Sequence, residues 1–525
     1  MSAQEFFDKP FDKPNEARQT DENTGGLPPR PEVRGSFWSR CHDRWALVAF
    51  LTSFTVYLFL SIYCLYKVGT DYDNVTDIDV PGDWQASSSG TTSSSGEIDY
   101  GEAFTKETGY LFALASAVAV GLSFGLLFFV RYFPTVTIIM GPLISLLYMI
   151  GATVGCIYLK VWGEAAISAA SAAFIVLCVF LFKSRYRLAR DLLDTANMAA
   201  KAHWSVFWTV IIGTLVQGLS SLWNIATFIS VFLVFEPWHQ GCDDGDYCSA
   251  GMTWALLIFV IIEYMWISGV ISSVTLTVMA GGPYAHWWYG TDLDTRSESI
   301  WALKRAAGTS LGSIAFGSLL VTAVEVLHFL VKLITGQYFG EEGKGICACC
   351  CGCLLRLMEY LLETFNKYVY IRIGVDRFEI DFKQGGKEIW RLVKKGKKVN
   401  RKGISALLSD NIVGKALHMT CMGNAVLCAG LTYLYMAVVD GSLKVDEWWN
   451  WLILLYSFIL ALNIGLTLTS ALEAGVSTIF VCLDKDPDYL KQRNPRFYDD
   501  LCAHPSYYSI VMPEADQPLQ PREKA

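Results

Sequence analysis

The chain has 525 residues, of which 53% are hydrophobic and 18% charged, and its mean hydropathy is +0.34. This composition is too apolar for an ordinary soluble protein of this length. Several uncharged runs exceed the ~20 residues that cross a bilayer. The sequence therefore predicts an all-α, polytopic membrane protein with about ten transmembrane helices.

Polar segments divide the chain. Residues 1–44 predict a disordered cytoplasmic tail without a cleavable signal peptide, 67–109 an extracellular acidic Ser-rich loop, and 484–525 a cytoplasmic tail. Basic residues flank the expected inner ends of the spans, which places both termini in the cytoplasm. The transmembrane domain covers 45–483, with spans near 45–66, 110–130, 133–159, 165–182, 204–235, 250–280, 306–331, 346–373, 416–439 and 448–483.

The predicted outer loops contain two modification candidates. Asn74-Val75-Thr76 is the only N-x-S/T sequon and predicts glycosylation at Asn74. Cys242 and Cys248 lie in the loop 236–249, on the same outer side, where a disulfide can form. A disulfide between them and a pair of free thiols remain equal alternatives.

The apolar stretch 250–280 carries a single charge, Glu263, with Tyr264 and Trp266 close to it. A carboxylate in a membrane costs roughly 2.5–3.5 kcal/mol and usually faces a polar pathway. Aromatic faces hold quaternary ammonium ions, although belt anchoring or packing is the ordinary role of a membrane tryptophan. The residues predicted to line a substrate pathway are Glu263, Tyr264, Trp266, Trp223, Asn224, Trp208, Glu325 and Glu473.

Three other segments have less regular patterns. The helical spacing of 185–202 predicts a surface helix along the cytoplasmic face, and 281–290 (GGPYAHWWYG) predicts a Gly/Pro turn followed by interfacial aromatics. Read alone, the charged segment 346–373 predicts an interfacial amphipathic helix. However, Lys304 and the basic segment 383–402 are both expected inside, with the outward span 306–331 between them, so one more crossing is needed. With a re-entrant preceding segment as the alternative, this favours a span at 346–373. Its five cysteines are packing residues by default, with palmitoylation or zinc binding as alternatives.

Catalytic signals are absent from the sequence. It contains no HExxH, GxSxG, P-loop or GxGxxG motif, and its seven histidines show no metal-ligand spacing. We therefore expect a protein that is not an enzyme and that has neither a cofactor nor a bound metal. The expected partners are membrane lipids and a small organic cation, with no nucleic acid.

Four stretches resemble the choline transporter-like family, especially its fungal branch, the pH-nine-sensitive proteins. They are Trp266-Ile-Ser268 with Thr277-Val-Met-Ala280-Gly281 and Trp287-Trp288-Tyr289, LGSIAFGS at 311–318, the cysteine-rich run before YVYIRIG at 368–374, and GVSTIFVCLDKDPDYLKQRNPRFYDDL at 475–501. The chain departs from many relatives at Gly269 and Ser477, where they have an acid or amide and an aspartate, respectively.

The resemblance implies a plasma-membrane transporter of choline or a related small organic cation, independent of sodium and exchanging with protons. An internal membrane is the alternative location. The alternative functions are a non-transporting scaffold or lipid-associated protein of the same fold and, more weakly, a channel, for which no filter-like repeat is visible.

Overall fold

The computed structural model describes residues 38, 41–70, 106–158, 160, 162–181, 185–235, 250–290, 298–334, 346–376, 380–398, 402–438 and 447–503. Within them, the regular elements are all helical and no strand is present. The helices are α1 (Arg44–Thr70), α2 (Lys106–Tyr132), α3 (Pro134–Tyr158), α4 (Trp162–Leu181), α5 (Arg185–Ala202), α6 (Ser205–Phe235), α7 (Ala250–Met279), α8 (Ala285–Tyr289), α9 (Glu298–Ala306), α10 (Leu311–Ile334), α11 (Ile346–Val375), α12 (Phe382–Lys398), α13 (Lys402–Val438), α14 (Glu447–Lys485), α15 (Asp488–Arg493) and α16 (Pro495–Ala503).

Eight of the described helical segments are long and apolar enough to cross a bilayer, which confirms an all-α polytopic membrane protein. These eight segments correspond to eight of the ten predicted spans. The other two predicted spans fall on α4 and α11, which are not among the eight. Helix α4 has 20 residues and α11 has 30. The second half of α11 is buried, since Val369, Ile371 and Ile373 have no exposed surface. The total of ten spans stays a prediction.

The Gly/Pro segment after α7 differs from the predicted turn. Residues Ala280–Tyr284 form a π-helical turn that continues the helical path into α8. Tyr284 and Trp288 are not interfacial anchors either, because both are fully buried, and Tyr284 Oη donates to the carbonyl of Ala471 at 2.7 Å. The prediction of a turn was wrong because it treated the Gly-Gly-Pro sequence as a signal that ends a helix. Tertiary packing against α14 instead keeps this segment helical.

Helix α5 has the predicted bounds, but it is not simply a surface helix. Leu192, Leu193 and Ala196 are completely buried, and the helix packs on α13 and α14. Asn197 donates from Nδ2 to the carbonyl of Val130 at 3.3 Å. Its apolar face is therefore covered by protein rather than by lipid.

The beginning of α1 is joined to α10 and α12 by one aspartate. Ser313 Oγ donates to Asp43 Oδ2 at 2.7 Å, and the backbone N–H of Phe382 donates to the same oxygen at 3.1 Å. A side chain at Gly312 would meet the carbonyl of His42. The small residues of LGSIAFGS thus allow the backbone preceding α1 to approach α10 closely.

Candidate functional site

A polar cavity of about 610 Å³ lies among five helices, α7, α10, α11, α13 and α14. A second cavity of about 280 Å³, reaching α6, shares Ser272, Leu276, Lys367 and Glu473 with the first. The volume of the larger cavity falls within the range of small-molecule sites. A water-accessible, polar space between apolar helices is where membrane proteins place ionisable side chains.

Glu473 of α14 is at the junction of the two cavities. Lys367 Nζ lies 2.8 Å from Glu473 Oε1, and His418 Nε2 lies 3.4 Å from Glu473 Oε2. A Cβ at Gly414 would come within 3.0 Å of Glu473 Oε1, so this glycine leaves room for the carboxylate. Three helices therefore bring one acid and two bases into a single network.

Neutral polar groups and phenol rings line the rest of the cavity. Asn366 donates from Nδ2 to the carbonyl of Gly317 at 2.8 Å, while its buried Oδ1 has no hydrogen-bond partner among the described residues. Gln217 Oε1, in the smaller cavity, is in the same situation. Tyr264 and Tyr370 both line the larger cavity. These groups can accept hydrogen bonds and present π-faces to a cation.

The other end of the larger cavity is acidic. Glu325 of α10 and Glu363 of α11 line it, and with Glu359 they place carboxylate oxygens within 4.8 Å of one another. His328 Nδ1 lies 3.1 Å from Glu359 Oε2. Three neighbouring carboxylates, of which Glu359 contacts a histidine, give this end of the cavity a negative potential, which attracts cations.

The structure separates the acids predicted for the pathway. Glu325 and Glu473 line the cavity, whereas Glu263 does not. Glu263 is 3% exposed and accepts a hydrogen bond from Ser53 Oγ of α1 at 3.1 Å. The hydrogen-bond partner of Glu263 is therefore a side chain of the neighbouring helix α1, not a group that lines the cavity.

The predicted aromatics are separated in the same way. Tyr264 lines the cavity, and its hydroxyl is 2.6 Å from Ser221 Oγ. Trp266 is instead buried, donating from Nε1 to the carbonyl of Ala315 at 3.0 Å. Trp208 and Trp223 are 58% and 44% exposed on α6 and line neither cavity.

Asn224 also lies away from the cavities and accepts a hydrogen bond from Tyr57 Oη at 3.4 Å. The predicted glycosylation site Asn74 and the predicted disulfide Cys242–Cys248 lie outside the described residues, as do the side chains of the cysteine-rich run.

The cavity residues that the predicted pathway lacks include Lys367, His418 and Asn366. The sequence showed Lys367 within the ambiguous charged segment and His418 as an isolated polar residue in a span. Their distance from Glu473 along the chain hid the network. Only the placement of α11 and α13 against α14 brings these side chains together.

A multi-pass helical protein with a polar cavity of this kind has the architecture of a membrane carrier. The family model described as plasma-membrane choline transporter matches residues 166–488, and the chain belongs to the choline transporter-like family. Its relatives include fungal proteins named PNS1, the pH-nine-sensitive proteins. The resemblance inferred from the four motifs is thus confirmed.

Three of these relatives span most of the chain. Protein PNS1 of Cryptococcus neoformans is 34% identical over 430 residues, which is 79% of this chain and 74% of that protein. Protein PNS1 of Mycosarcoma maydis is 29% identical over 481 residues, 90% and 83% respectively. Protein PNS1 of Saccharomyces cerevisiae is 27% identical over 381 residues, 71% and 69% respectively.

Proposed function

We propose that this protein carries choline or a related small organic cation through the cavity between α7, α10, α11, α13 and α14. Transport is independent of sodium and exchanges the cation with protons. The protein acts in the plasma membrane with both termini in the cytoplasm. The observation that supports this proposal best is Glu473, an acid within the membrane domain that lines both cavities.

In this mechanism, Lys367 and the substrate compete for the same carboxylate. Lys367 Nζ lies 2.8 Å from Glu473 Oε1 and neutralises the charge of this carboxylate. Glu363 precedes Lys367 by one helical turn, the spacing at which side chains on one helix interact. When an organic cation approaches Glu473, Lys367 moves toward Glu363. Entry of the cation is thereby compensated by movement of a protein charge.

The two ends of choline have matching groups in the cavity. A trimethylammonium group has no N–H, so it is held by charge and aromatic faces rather than by hydrogen bonds. Glu473 provides the charge, and Tyr264 and Tyr370 provide the faces. The hydroxyl of choline donates to Asn366 Oδ1, a buried acceptor that lacks another partner among the described residues.

Proton exchange follows from the bases around Glu473. His418 Nε2 is 3.4 Å from the carboxylate, so a proton on His418 adds a positive charge beside Glu473. An organic cation at Glu473 repels that charge, and the release of the proton from His418 accompanies substrate binding. The acidic end at Glu325 and Glu363 then concentrates cations at the cavity.

Binding of radiolabelled choline to the purified protein tests this assignment. We expect Glu473→Gln to weaken binding roughly 10- to 100-fold, because contacts with a charged group are worth about 1.5–3 kcal/mol. Glu263→Gln is the matched control, since Glu263 is also an acid in a long apolar helix but does not line the cavity. Equal loss of binding in both variants would contradict the proposal.

A charge-neutral double variant separates binding from folding. Glu473→Gln alone leaves Lys367 without its carboxylate, which destabilises a buried site. Lys367→Gln combined with Glu473→Gln restores neutrality. We expect this protein to elute as a single species and to melt near the wild-type temperature, yet to bind no choline. Retained choline binding in the double variant would exclude Glu473 as the cation site.

A further inference from the structure

Two histidines and one glutamate from three separate segments meet near the end of the bundle where α6 begins. His203 lies between α5 and α6, His286 lies in α8, and Glu298 is the first residue of α9. His203 Nδ1 is 3.0 Å from Glu298 Oε2, and His286 Nε2 is 3.3 Å from Glu298 Oε1. One ligand atom from each residue lies within 4.8 Å of the other two.

The protein alone leaves two polar atoms of this cluster unsatisfied. Glu298 Oε2 is buried and has no hydrogen-bond partner among the described residues, although His203 Nδ1 is close. The 3.0 Å contact therefore lacks hydrogen-bond geometry. His286 Nδ1 is likewise buried without a partner within that part of the chain. The donor atoms converge without bonding fully to one another.

The spacing agrees with a shared metal ion. Nitrogen and oxygen ligands lie about 2.0–2.2 Å from Zn²⁺, and they are therefore roughly 3.3–3.5 Å apart in a tetrahedron. The two histidine–glutamate distances are already close to that value. The ligand atoms of the two imidazoles lie within 4.8 Å of each other. Two histidines and one carboxylate also form a known ligand set for zinc.

We propose that His203, His286 and Glu298 bind a divalent transition-metal ion of the Zn²⁺ type, with water as the fourth ligand. The side chains of His203 and Glu298 are 19% and 20% exposed, which gives the ion access from solvent. A bound ion joins the start of α6 to α8 and α9. It thereby fixes the aromatic segment after α7 to its neighbours.

A basic side chain lies near the cluster. The charge of Arg493 acts on both His203 and His286 and repels a cation at this site. Arg493 Nε donates to the carbonyl of Trp288. Coordination, rather than net charge, must therefore hold the ion.

Metal analysis of the full chain tests the site. The protein, purified without a polyhistidine tag, is stripped with chelator and equilibrated with buffered Zn²⁺ before metal content is measured. We expect wild type to hold one more Zn²⁺ per chain than the His203→Ala/Glu298→Gln variant. His42→Ala removes a histidine elsewhere and should match wild type. Equal zinc content in wild type and the double variant would overturn the proposal.

Cobalt substitution in wild type provides a test that needs no variant. Co²⁺ bound by nitrogen and oxygen ligands shows visible d–d bands without the thiolate charge-transfer band that cysteine ligands give. The spectrum thus separates this site from any site formed by the fifteen cysteines. A charge-transfer band, or no bound Co²⁺ at all, contradicts the assignment even if the double variant fails to fold.

Discussion

Glu263 and Glu473 are both acids in long apolar helices, and from the sequence alone both were predicted to line the substrate pathway. Their surroundings distinguish them. Glu473 meets Lys367 and His418 at the cavity, whereas Glu263 is buried against Ser53. The sequence could predict that intramembrane acids matter, because each is costly to bury. It could not predict which acid faces the cavity, because that depends on the rotation of each helix against its neighbours.

Asn366 offers a prediction about substrate selectivity. Asn366→Leu removes the amide oxygen that is proposed to accept the choline hydroxyl. We expect affinity for choline to fall about 2- to 10-fold, since a neutral hydrogen bond is worth roughly 0.5–1.5 kcal/mol. Tetramethylammonium has no hydroxyl, so its affinity should be unchanged. Competition binding with both cations measures the difference, and an equal loss for both would contradict this role.

At the scale of single elements, helix α10 shows which close contacts need the glycines of the motif LGSIAFGS. A Cβ at Gly312 would approach the carbonyl of His42 to 2.4 Å, and one at Gly317 would approach Tyr370 Oη to 2.4 Å. The sequence indicated the close approach through residue size. The partner segments lie far away along the chain, so their identity had to come from the structure.

Gly312→Ala tests that close approach. The added methyl meets backbone atoms that cannot rotate away, and overpacking typically costs about 1–3 kcal/mol. We expect a lower melting temperature of the detergent-solubilised protein. Gly121→Ala in α2 is the control, because nothing lies within 4 Å of its added Cβ. Similar melting temperatures for the two variants would show that the contact at Gly312 is not tight.

Helix α5 gives a pH-dependent prediction. Burial raises the pKa of Asp191 to about 6, with Arg190 opposing the rise and Asp500 and Asp194 adding to it. The folded protein then binds this proton more tightly than the unfolded chain, whose aspartate pKa is about 3.9. This residue's contribution to stability is therefore fully present below about pH 4 and is lost as pH rises through about 6.

Asp191→Asn should consequently raise the melting temperature at about pH 7.5, and the gain should disappear toward about pH 4. Thermal unfolding followed by fluorescence across that range measures the effect. Asp194→Asn is a control on the same helix, where the side chain is exposed. A stabilisation by Asp191→Asn that grows as pH falls would contradict the assigned direction.

For the whole molecule, hydropathy and the four motifs were sufficient to predict the helical membrane architecture and the family, both of which are confirmed. The local sequence pattern did not predict structure that depends on tertiary packing, such as the π-helical turn at Ala280–Tyr284. It also gave no sign of the His203–His286–Glu298 cluster, because these residues lack a metal-ligand spacing along the chain. Each of these features arises from contacts between distant segments.

Uptake of labelled choline into proteoliposomes tests the carrier mechanism most directly. We predict uptake by wild type that is driven by an outward proton gradient, does not require sodium, and remains in the Glu263→Gln variant. Uptake should fall to the level of empty vesicles when Lys367→Gln and Glu473→Gln are combined in a folded protein. Uptake by wild type no greater than that of empty vesicles, for choline and related small amines alike, would contradict the carrier and favour a non-transporting scaffold of the same fold.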